Sequence, residues 1–262
     1  MDLPFKQRLK LFRQSIYSSL KLGGHTPISI EPYQDIYKVI MPGHEVYVPS
    51  PLRWKLYKYG WEARLKRLKS EYGVGKHYVP QVGDIVLDIG ANAGEFSLIA
   101  AALGAQVYAC EPDPLVSQCL KLNTINDERI NRFDYVLSHK DGDIDFYLAP
   151  DKADSSIFSV SETKIRRRGV KISTFMQEQN ITHIDFIKCD AEGAEPEVLM
   201  GASDVADKIG VLAIDTGAER DGERTGQACE DILNGWGFRV FEEKIGTRWM
   251  TYGVNPQFKA GE

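Results

Sequence analysis

The sequence predicts a doubly wound α/β fold in which a mostly parallel sheet is followed by an antiparallel hairpin. Three observations predict it. Short apolar runs alternate with helix-compatible segments from residue 84 to residue 237, which is typical of parallel sheets covered by helices. A loop with two glycines, DIGANAGEF at 88–96, joins the first apolar run to the first helical segment. Two further apolar runs flank Gly246 and predict the terminal hairpin.

Each element is placed by its own composition and by the turn residues beside it. The predicted strands cover residues 84–90, 105–113, 132–138, 183–190, 209–216, 238–243 and 248–254. The predicted helices between them cover residues 95–104, 114–126, 173–179 and 225–237. An additional β pair at 143–149 and 155–160 predicts an insertion near residues 141–172. Residues 81–262 therefore form one predicted domain.

Residues 1–80 are predicted to be an N-terminal extension without a convincing core of its own. Residues 3–22 place apolar side chains at helical spacing among basic ones, which predicts a basic amphipathic helix. Such a helix packs on its own domain or on a dimer partner, or lies peripherally on an anionic membrane surface. A hairpin around Pro42-Gly43 and a helical segment at 52–73 complete the extension.

The overall composition excludes several classes of protein. The chain has 262 residues, of which 43% are hydrophobic and 26% are charged, as in ordinary globular proteins. Its net charge of −5 gives no basic footprint for duplex nucleic acid. The four cysteines lie far apart, which argues against a disulfide framework or a zinc site and favours reduced thiols in a cytoplasmic protein. No apolar run approaches the roughly 18 residues of a transmembrane helix.

The loop at 88–96 predicts a nucleoside-binding site. In open α/β sheets, ligands bind at the carboxyl ends of the strands. Gly90 permits a close backbone approach, Gly94 permits close helix–strand packing, and Asn92 tolerates the left-handed region that a tight loop needs. Glu111 ends the next strand 21 residues after Gly90, where an acidic residue accepts hydrogen bonds from ribose hydroxyls.

The loop also indicates which nucleoside cofactor is expected. Dinucleotide sites carry a G-x-G-x-x-G pattern that places a pyrophosphate at a helix N-terminus. Here Ala91 and Asn92 follow Gly90, and Asp88 precedes it. This arrangement suits a ligand that has an amino-acid end and no phosphate, namely S-adenosyl-L-methionine.

Three segments resemble the motifs of the FkbM-type S-adenosylmethionine-dependent methyltransferases. They are VLDIGANAGEFSLIAA, YACEPDP and IDFIKCDAEGAEPEVLMGA, and the resemblance covers roughly residues 80–255. It implies a class I methyltransferase (Rossmann-like) fold and O-methylation of sugars, glycans or polyketide-like natural products. It also implies cofactor contacts at the following residues: Asp88, Gly90, Asn92, Gly94, Glu111, Asp113, Leu137 and Ser138.

Two parts of the chain depart from the family pattern. The family often begins the helix before its fourth strand with TLD, whereas this chain has STFMQEQ at 173–179. The first 80 residues match nothing diagnostic. Both departures concern the acceptor side rather than the cofactor loop.

Catalytic residues are predicted at the end of the strand at 184–190. Lys188 lies inside this apolar strand, and Asp190 lies two residues later on the same face. A lysine–carboxylate pair would explain the buried charge, and clustered carboxylates raise one another's pKa towards that of a useful base. We therefore expect Asp190 and Glu192 to face the acceptor or act as bases, with Lys188 orienting them.

Acceptor-binding residues are predicted in the loops that follow the neighbouring strands. Asp215 ends the next strand, Glu219 and Arg220 follow it, and His139 follows the third strand. Asp190 and Asp215 offer oxygen ligands for Mg²⁺, but no full ligand set follows from the sequence, so no metal is assigned.

Two other functions are compatible with the sequence. A nicotinamide-dependent oxidoreductase would use the same strand–loop–helix unit, although the missing second glycine disfavours it. A cofactor-binding scaffold without activity would also keep the loop, although Asp190 and Glu192 argue against it. The sequence does not identify the acceptor, which we expect to be a glycan or a small molecule.

Overall fold

A seven-stranded sheet forms the centre of the molecule. The computed structural model describes residues 5–149, 155–158 and 163–258. The strands of the central sheet, in chain order, are β4 (Ile85–Ile89), β5 (Gln106–Cys110), β6 (Ile130–Phe133), β10 (Ile184–Cys189), β11 (Ile209–Asp215), β12 (Arg239–Ile245) and β13 (Arg248–Val254). The spatial order is β12-β13-β11-β10-β4-β5-β6.

The sheet reverses its direction of winding between β4 and β10. The chain moves outwards from β4 to β5 and β6, returns to β10 on the other side of β4, and continues to β11. These five strands run parallel to one another, whereas β13 pairs antiparallel with both β11 and β12. The carboxyl ends of β4 and β10 therefore flank the crevice where open α/β sheets bind ligands.

Helices cover both faces of this sheet, as the predicted alternation requires. They are α2 (Trp61–Glu71), α3 (Glu95–Ala102) and α4 (Pro114–Thr124) on one face, and α5 (Ile172–Glu178), α6 (Glu195–Met200) and α7 (Gly226–Gly235) on the other. Along β10, Phe186 packs with the first group, and Ile187 and Cys189 pack with the second. Both faces of the strand are buried, so its sequence is apolar without alternation.

Two three-stranded sheets lie beside the central one. The N-terminal sheet contains β1 (Ser29–Tyr33), β2 (Ile36–Met41) and β3 (His44–Val48), and the inserted sheet contains β7 (Val136–Leu137), β8 (Gly142–Tyr147) and β9 (Lys164–Val170). The predicted hairpin around Pro42-Gly43 corresponds to β2 and β3, and β1 is an additional edge strand that the sequence pattern did not predict.

Most predicted elements agree with the structure to within a few residues, and one is divided. The predicted strand at 132–138 is two strands in different sheets, because β6 belongs to the central sheet and β7 pairs with β9. The basic run at 164–169 lies within β9. The second strand of the predicted β pair, 155–160, lies partly outside the described residues.

The N-terminal extension packs on the central unit through apolar contacts, such as Ile36 against Ala93 and Cys119, and through polar ones. The expectation that the extension has no convincing core of its own is wrong, because buried apolar side chains of its sheet and of the segment after it form a cluster: Val39, Met41, Val46, Val48, Trp54 and Tyr57. A short 3₁₀ helix, Pro51–Tyr57, precedes α2. The Tyr57 hydroxyl donates to Glu95 at 2.8 Å, and Arg64 Nε lies 3.1 Å from the same carboxylate. Asn123 of α4 is hydrogen-bonded to the backbone of Tyr47. The extension therefore contacts the start of α3, next to the glycine loop.

The first helix, α1 (Phe5–Ser19), docks on the extension through its polar side. Gln14 is buried and donates through Nε2 to the carbonyls of Thr26 at 2.7 Å and Lys58 at 2.9 Å. The helix therefore turns its apolar side away from the protein. Within the described residues, no helix combines the length and the apolar character that crossing a bilayer requires.

Candidate active site

The glycine loop lies directly against the end of β10. Gly90 has φ of +66°, and a Cβ placed there would lie 1.9 Å from the carbonyl oxygen of Asp190. Asn92 adopts φ of +51°, in the left-handed region that asparagine tolerates. A Cβ at Gly94 would lie 2.8 Å from both Leu120 and Thr124 of α4. Two glycines thus let the loop pass between β10 and α4.

A buried ion pair supports this loop from below. Lys188 is 3% exposed, and its Nζ lies 3.1 Å from Oδ1 of the fully buried Asp88. The same ammonium donates to the carbonyls of Ile89 at 3.0 Å and Gly90, and Asp88 Oδ2 accepts a hydrogen bond from Ser97 at 2.6 Å. Burial opposes the charge of Lys188, but Asp88 and Asp190 outweigh it and raise its pKa.

The partner of Lys188 differs from the predicted one. The sequence pattern paired Lys188 with Asp190 because the two residues share a face of one strand. In the parallel register, Lys188 lies opposite Asp88 of the adjacent strand, and the closest carboxylate is that of Asp88. Lys188 therefore contacts the backbone of the loop, and Asp190 is held by other residues.

A first cavity of about 650 Å³ opens on one side of the loop. It is lined by Gly90, Asn92, Glu111, Asp113 and Leu137 together with apolar side chains. Glu111 accepts hydrogen bonds from the backbone amides of Asn92 at 2.9 Å and Asp113 at 3.0 Å. Burial raises the pKa of Glu111 to about 7.

Three other predicted cofactor residues have structural partners of their own. Asp113 lines the first cavity, and it caps α4 by accepting from the Leu115 amide at 2.9 Å and also accepts from Ser155 Oγ. Ser138 is fully buried beneath the cavity, and its amide donates to Val170. Asp88, like Gly94, lies behind the loop rather than in the cavity wall.

A second cavity, of about 620 Å³, lies on the other side of the same loop. The two cavities share four lining residues: Gly90, Asn92, Asp190 and Glu192. The second is lined by basic side chains that include Arg64, Arg67 and Arg248, whereas no basic residue lines the first among the described residues. The junction between them is the end of β10.

Asp190 lies at this junction, with one carboxylate oxygen hydrogen-bonded and the other buried without a hydrogen-bond partner among the described residues. Its Oδ2 accepts from the Tyr72 hydroxyl at 2.7 Å and from Arg248 Nη1 at 3.0 Å. Within the described part of the chain, its Oδ1 has no hydrogen-bond partner. Burial opposes ionisation, but Arg248, Lys188 and the Tyr72 hydrogen bond outweigh burial and hold the pKa of Asp190 below its usual range.

Two predicted acceptor residues join Asp190. Asp215 and Glu219 place carboxylate oxygens within 4.8 Å of one another and of Asp190. Burial, with the charge of Asp190, raises the pKa of Asp215 to about 6 and that of Glu219 to about 9. Arg248 Nη1 lies 2.5 Å from Asp215 Oδ2, so a guanidinium already offsets part of the negative charge at this cluster.

The other predicted acceptor residues lie elsewhere. Arg220 donates to the Gly193 carbonyl at 2.7 Å, pairs with Glu197 and lies 4.1 Å from the ring centroid of Phe158. It therefore braces the loop after β10. His139 is exposed, lines neither cavity, and contacts Ser138 Oγ at 3.3 Å.

Sequence reasoning missed the residues that reach the site from distant parts of the chain. Tyr72 comes from the end of α2, and Arg248 comes from the start of β13. Arg64 also belongs to the extension, which carries no diagnostic motif. The sequence signal for these residues was limited to Arg248, an arginine beside the predicted terminal turn. An arginine in that position is too common to indicate a site.

Comparison with known proteins identifies the family. The sequence model of the Methyltransferase FkbM domain matches residues 88–240, which include the glycine loop, Glu111 and the whole of β10 and β11. The chain belongs to the FkbM methyltransferase family.

Two curated relatives of this FkbM protein are named sugar methyltransferases. Hexuronic acid methyltransferase AglP of Haloferax volcanii is 25% identical over 164 residues, covering 60% of this chain and 67% of the relative. The 2-O-methyltransferase NoeI of Sinorhizobium fredii is 24% identical over 144 residues, covering 47% of this chain and 59% of the relative. The matched region thus spans about two-thirds of the first relative and about three-fifths of the second.

Solved structures show looser similarity. An S-adenosylmethionine-dependent methyltransferase from Aquifex aeolicus aligns with 15% identity and a TM-score of 0.45, covering 78% of this chain and 93% of that one. Fibrillarin from Aeropyrum pernix, with natively bound S-adenosyl-L-methionine, aligns with 13% identity and a TM-score of 0.43. The alignment covers 87% of this chain and 99% of the fibrillarin chain.

Family membership and strand order together give the fold class and the cofactor. The FkbM protein has the class I methyltransferase fold, Rossmann-like and mostly parallel, with the predicted antiparallel hairpin. It is an S-adenosylmethionine-dependent methyltransferase, so the oxidoreductase alternative is wrong. The donor set fits this cofactor, since the first cavity offers a carboxylate to ribose hydroxyls and apolar walls to an adenine ring.

Glu111 predicts how cofactor affinity depends on pH. The pKa of Glu111 is raised to about 7, and only its ionised form accepts from both ribose hydroxyls. Affinity should therefore rise as pH increases through 7, and the dissociation constant of S-adenosylhomocysteine should be roughly tenfold larger at pH 6 than at pH 8. Calorimetry at both pH values measures this. Glu111→Gln should bind S-adenosylhomocysteine more weakly and lose the pH dependence of affinity. An unchanged pH dependence in that variant would contradict the assignment of Glu111 to the ribose.

Proposed function

We propose that this FkbM protein transfers the methyl group of S-adenosylmethionine to a hydroxyl group of a sugar residue. The observation that carries the proposal is the unpartnered Oδ1 of Asp190 at the junction of the two cavities. The two curated relatives, one named for hexuronic acid and one for 2-O-methylation, support a sugar as the acceptor.

In this proposal, Asp190 contacts the acceptor hydroxyl. S-adenosylmethionine supplies an electrophilic methyl group on a sulfonium. Holding the acceptor oxygen in line with that group gives a large part of the acceleration. The unpartnered Oδ1 has the capacity to accept the hydroxyl hydrogen, which would fix the direction of a lone pair on the acceptor oxygen. Tyr72 and Arg248 hold the other oxygen of Asp190, so the carboxylate is preorganised for this contact.

A low pKa at Asp190 is compatible with this role. As the new C–O bond forms, positive charge moves onto the acceptor oxygen and its proton becomes strongly acidic. An ionised carboxylate at that oxygen stabilises the developing charge and takes the proton even when its own pKa is low. A carboxylate oxygen of Asp215 lies within 4.8 Å of one of Asp190, and its pKa of about 6 makes Asp215 the more basic of the two carboxylates. Glu192 lines both cavities and is the second candidate for contacting the acceptor.

A labelled-methyl assay tests the proposal. The full chain is incubated with methyl-labelled S-adenosylmethionine and a panel of neutral sugars, uronic-acid oligosaccharides and lipid-free polyols. Transfer to a sugar, in a linkage that resists mild alkali, is expected for an ether formed at a hydroxyl. Alkali-labile label on uronic acids would indicate ester formation at a carboxylate and would overturn the hydroxyl assignment. Cofactor binding without transfer to any acceptor would favour the scaffold alternative.

A further inference from the structure

We infer that arginines of the N-terminal extension bind the carboxylate at the amino-acid end of S-adenosylmethionine. The inference starts from charge. That end of the cofactor carries a carboxylate, which requires a cation or several N–H donors in a partly buried site. The first cavity, where Glu111 faces the ribose, has no basic side chain among the described residues that line it.

The second cavity supplies the missing charge, and it adjoins the first. The two cavities share Gly90, Asn92, Asp190 and Glu192 in their walls, so a ligand that reaches across the glycine loop would contact both. The second cavity is lined by Arg53, Arg64 and Arg67 of the extension as well as by Lys188 and Arg248. The last two are already placed against Asp88 and Asp190, respectively.

Arg64 is the best-positioned donor of this group. Its Nε is fixed by Glu95 at 3.1 Å, and its side chain is 13% exposed. A guanidinium has five N–H donors in a planar fork, so anchoring Nε orients the remaining donors. Arg67, on the same helix, pairs with Glu71 at 2.6 Å and is 56% exposed, which places it at the rim.

Paired ligands that differ only at the amino-acid end test this assignment. S-adenosylhomocysteine carries the carboxylate, and 5′-methylthioadenosine keeps the adenosine and sulfur but lacks it. Arg64→Gln is expected to weaken S-adenosylhomocysteine binding by about 10- to 100-fold, the value of a charged hydrogen bond. Binding of 5′-methylthioadenosine, measured by the same calorimetry, should be unchanged and also reports that the variant is folded.

Two further variants keep the test decisive. Arg67→Ala should give a smaller loss that is likewise specific for S-adenosylhomocysteine, and it decides the question if Arg64→Gln does not fold. Lys55→Ala removes an exposed cation of the same extension that lines neither cavity, and it should change neither affinity. Equal effects on both ligands, or a raised acceptor KM with unaltered S-adenosylhomocysteine affinity, would overturn the assignment.

A second inference rests on the exposed side of α1. We propose that this helix binds an anionic lipid bilayer in its plane. The side chains concerned are large, apolar and between 43% and 80% exposed: Phe5, Leu9, Phe12, Ile16 and Leu20. At 3.6 residues per turn they fall within an arc of about 80°. The buried residues Gln14 and Ser18 lie on the opposite side, so docking of the helix leaves this apolar stripe uncovered.

The charges around the stripe decide between a bilayer and a second copy of the chain. Residues 5–21 contain five basic residues and no acidic one, although the whole chain has a net charge of −5. Arg13 and Lys6 border the stripe on one side, and Arg8 borders it on the other. Two copies packed through this stripe would bring like charges together, whereas anionic headgroups complement them.

Vesicle sedimentation of the full chain tests the second inference. The protein should bind vesicles of phosphatidylglycerol and phosphatidylcholine, and bind pure phosphatidylcholine much less. Phe12→Ser with Ile16→Ser should lower partitioning to the anionic vesicles by roughly tenfold or more, since two apolar side chains no longer enter the interface. Val82→Ser, at a residue 89% exposed outside the helix, is the matched control. The proposal would be overturned if all variants partitioned equally to the anionic vesicles. It would also be overturned if the chain formed a concentration-dependent dimer that the double variant abolished and Val82→Ser did not.

Discussion

Asp190→Asn is expected to lower the turnover number by about 10²–10⁴-fold, the usual contribution of a positioned acid–base group. The amide keeps the shape of the side chain and can still accept from Tyr72 or Arg248. It lacks the negative charge that the developing positive charge on the acceptor oxygen requires. Binding of S-adenosylhomocysteine should change little, because Glu111 and Arg64, the residues proposed to contact the ribose and the carboxylate, are unaltered. Single-turnover kinetics and calorimetry on the same preparation measure the two quantities.

A matched substitution at another carboxylate shows whether the loss of turnover is specific to Asp190. Asp204 has a side chain that is 71% exposed and pairs with Lys171 at 3.3 Å, far along the chain from the glycine loop. Asp204→Asn should keep full turnover. Normal turnover in Asp190→Asn would remove Asp190 from the mechanism, and a parallel loss of cofactor affinity would make its role structural.

The second large effect is expected on stability, from Lys188→Met. The substitution leaves the fully buried Asp88 without its ammonium partner and removes two hydrogen bonds to the loop carbonyls. Removing one member of a buried ion pair costs about 3–5 kcal/mol of unfolding free energy. Urea denaturation should show this as a lower midpoint with an unchanged m-value.

Two comparisons show whether the lost stability arises from the unpaired charge of the buried Asp88. Asp88→Asn combined with Lys188→Met removes the charge as well, so the double variant should recover part of the lost stability. Lys164→Met breaks the exposed pair with Asp145, at 2.7 Å, and should lower the free energy of unfolding far less, because solvent screens an exposed pair. If Lys188→Met cost no more than Lys164→Met, the ion pair would not be what supports the loop.

The cofactor side could be predicted from the sequence because its determinants are local. The glycine loop, its flanking strand and helix, and Glu111 all fall within one β-α-β unit of 27 residues, 85–111. Turn chemistry and strand polarity fix their relative positions. Glu111 therefore reaches the cavity wall where the 21-residue spacing placed it.

The acceptor side could not be predicted in the same way because its partners are distant. Asp190 and Asp215 follow adjacent strands, so their proximity follows from sheet order. The groups that set their ionisation do not, since Tyr72 is 118 residues from Asp190 and Arg248 is 58 residues from it. Periodicity shows which face of a strand Lys188 occupies, but not that the neighbouring strand places Asp88 opposite it.

The orientation of α1 illustrates the same limit. The 3.6-residue periodicity correctly predicts the helix and its apolar stripe, but amphipathicity alone does not say which side contacts the protein. That depends on Gln14, whose amide finds two carbonyls on the extension. A polar contact of this kind has no periodic signature in the sequence.

The position of β13 has a consequence for the order of assembly. This strand sits between β11 and β12 although it follows both in the chain, so β12 cannot join the sheet before β13 has been made. Arg248 is the first residue of β13, and it is the cation that touches both Asp190 and Asp215. In a ribosome-bound chain that has not yet released this hairpin, Asp190 and Asp215 would lack the guanidinium that pairs with both of them. We therefore expect competence for methyl transfer to arise only once synthesis has passed this strand.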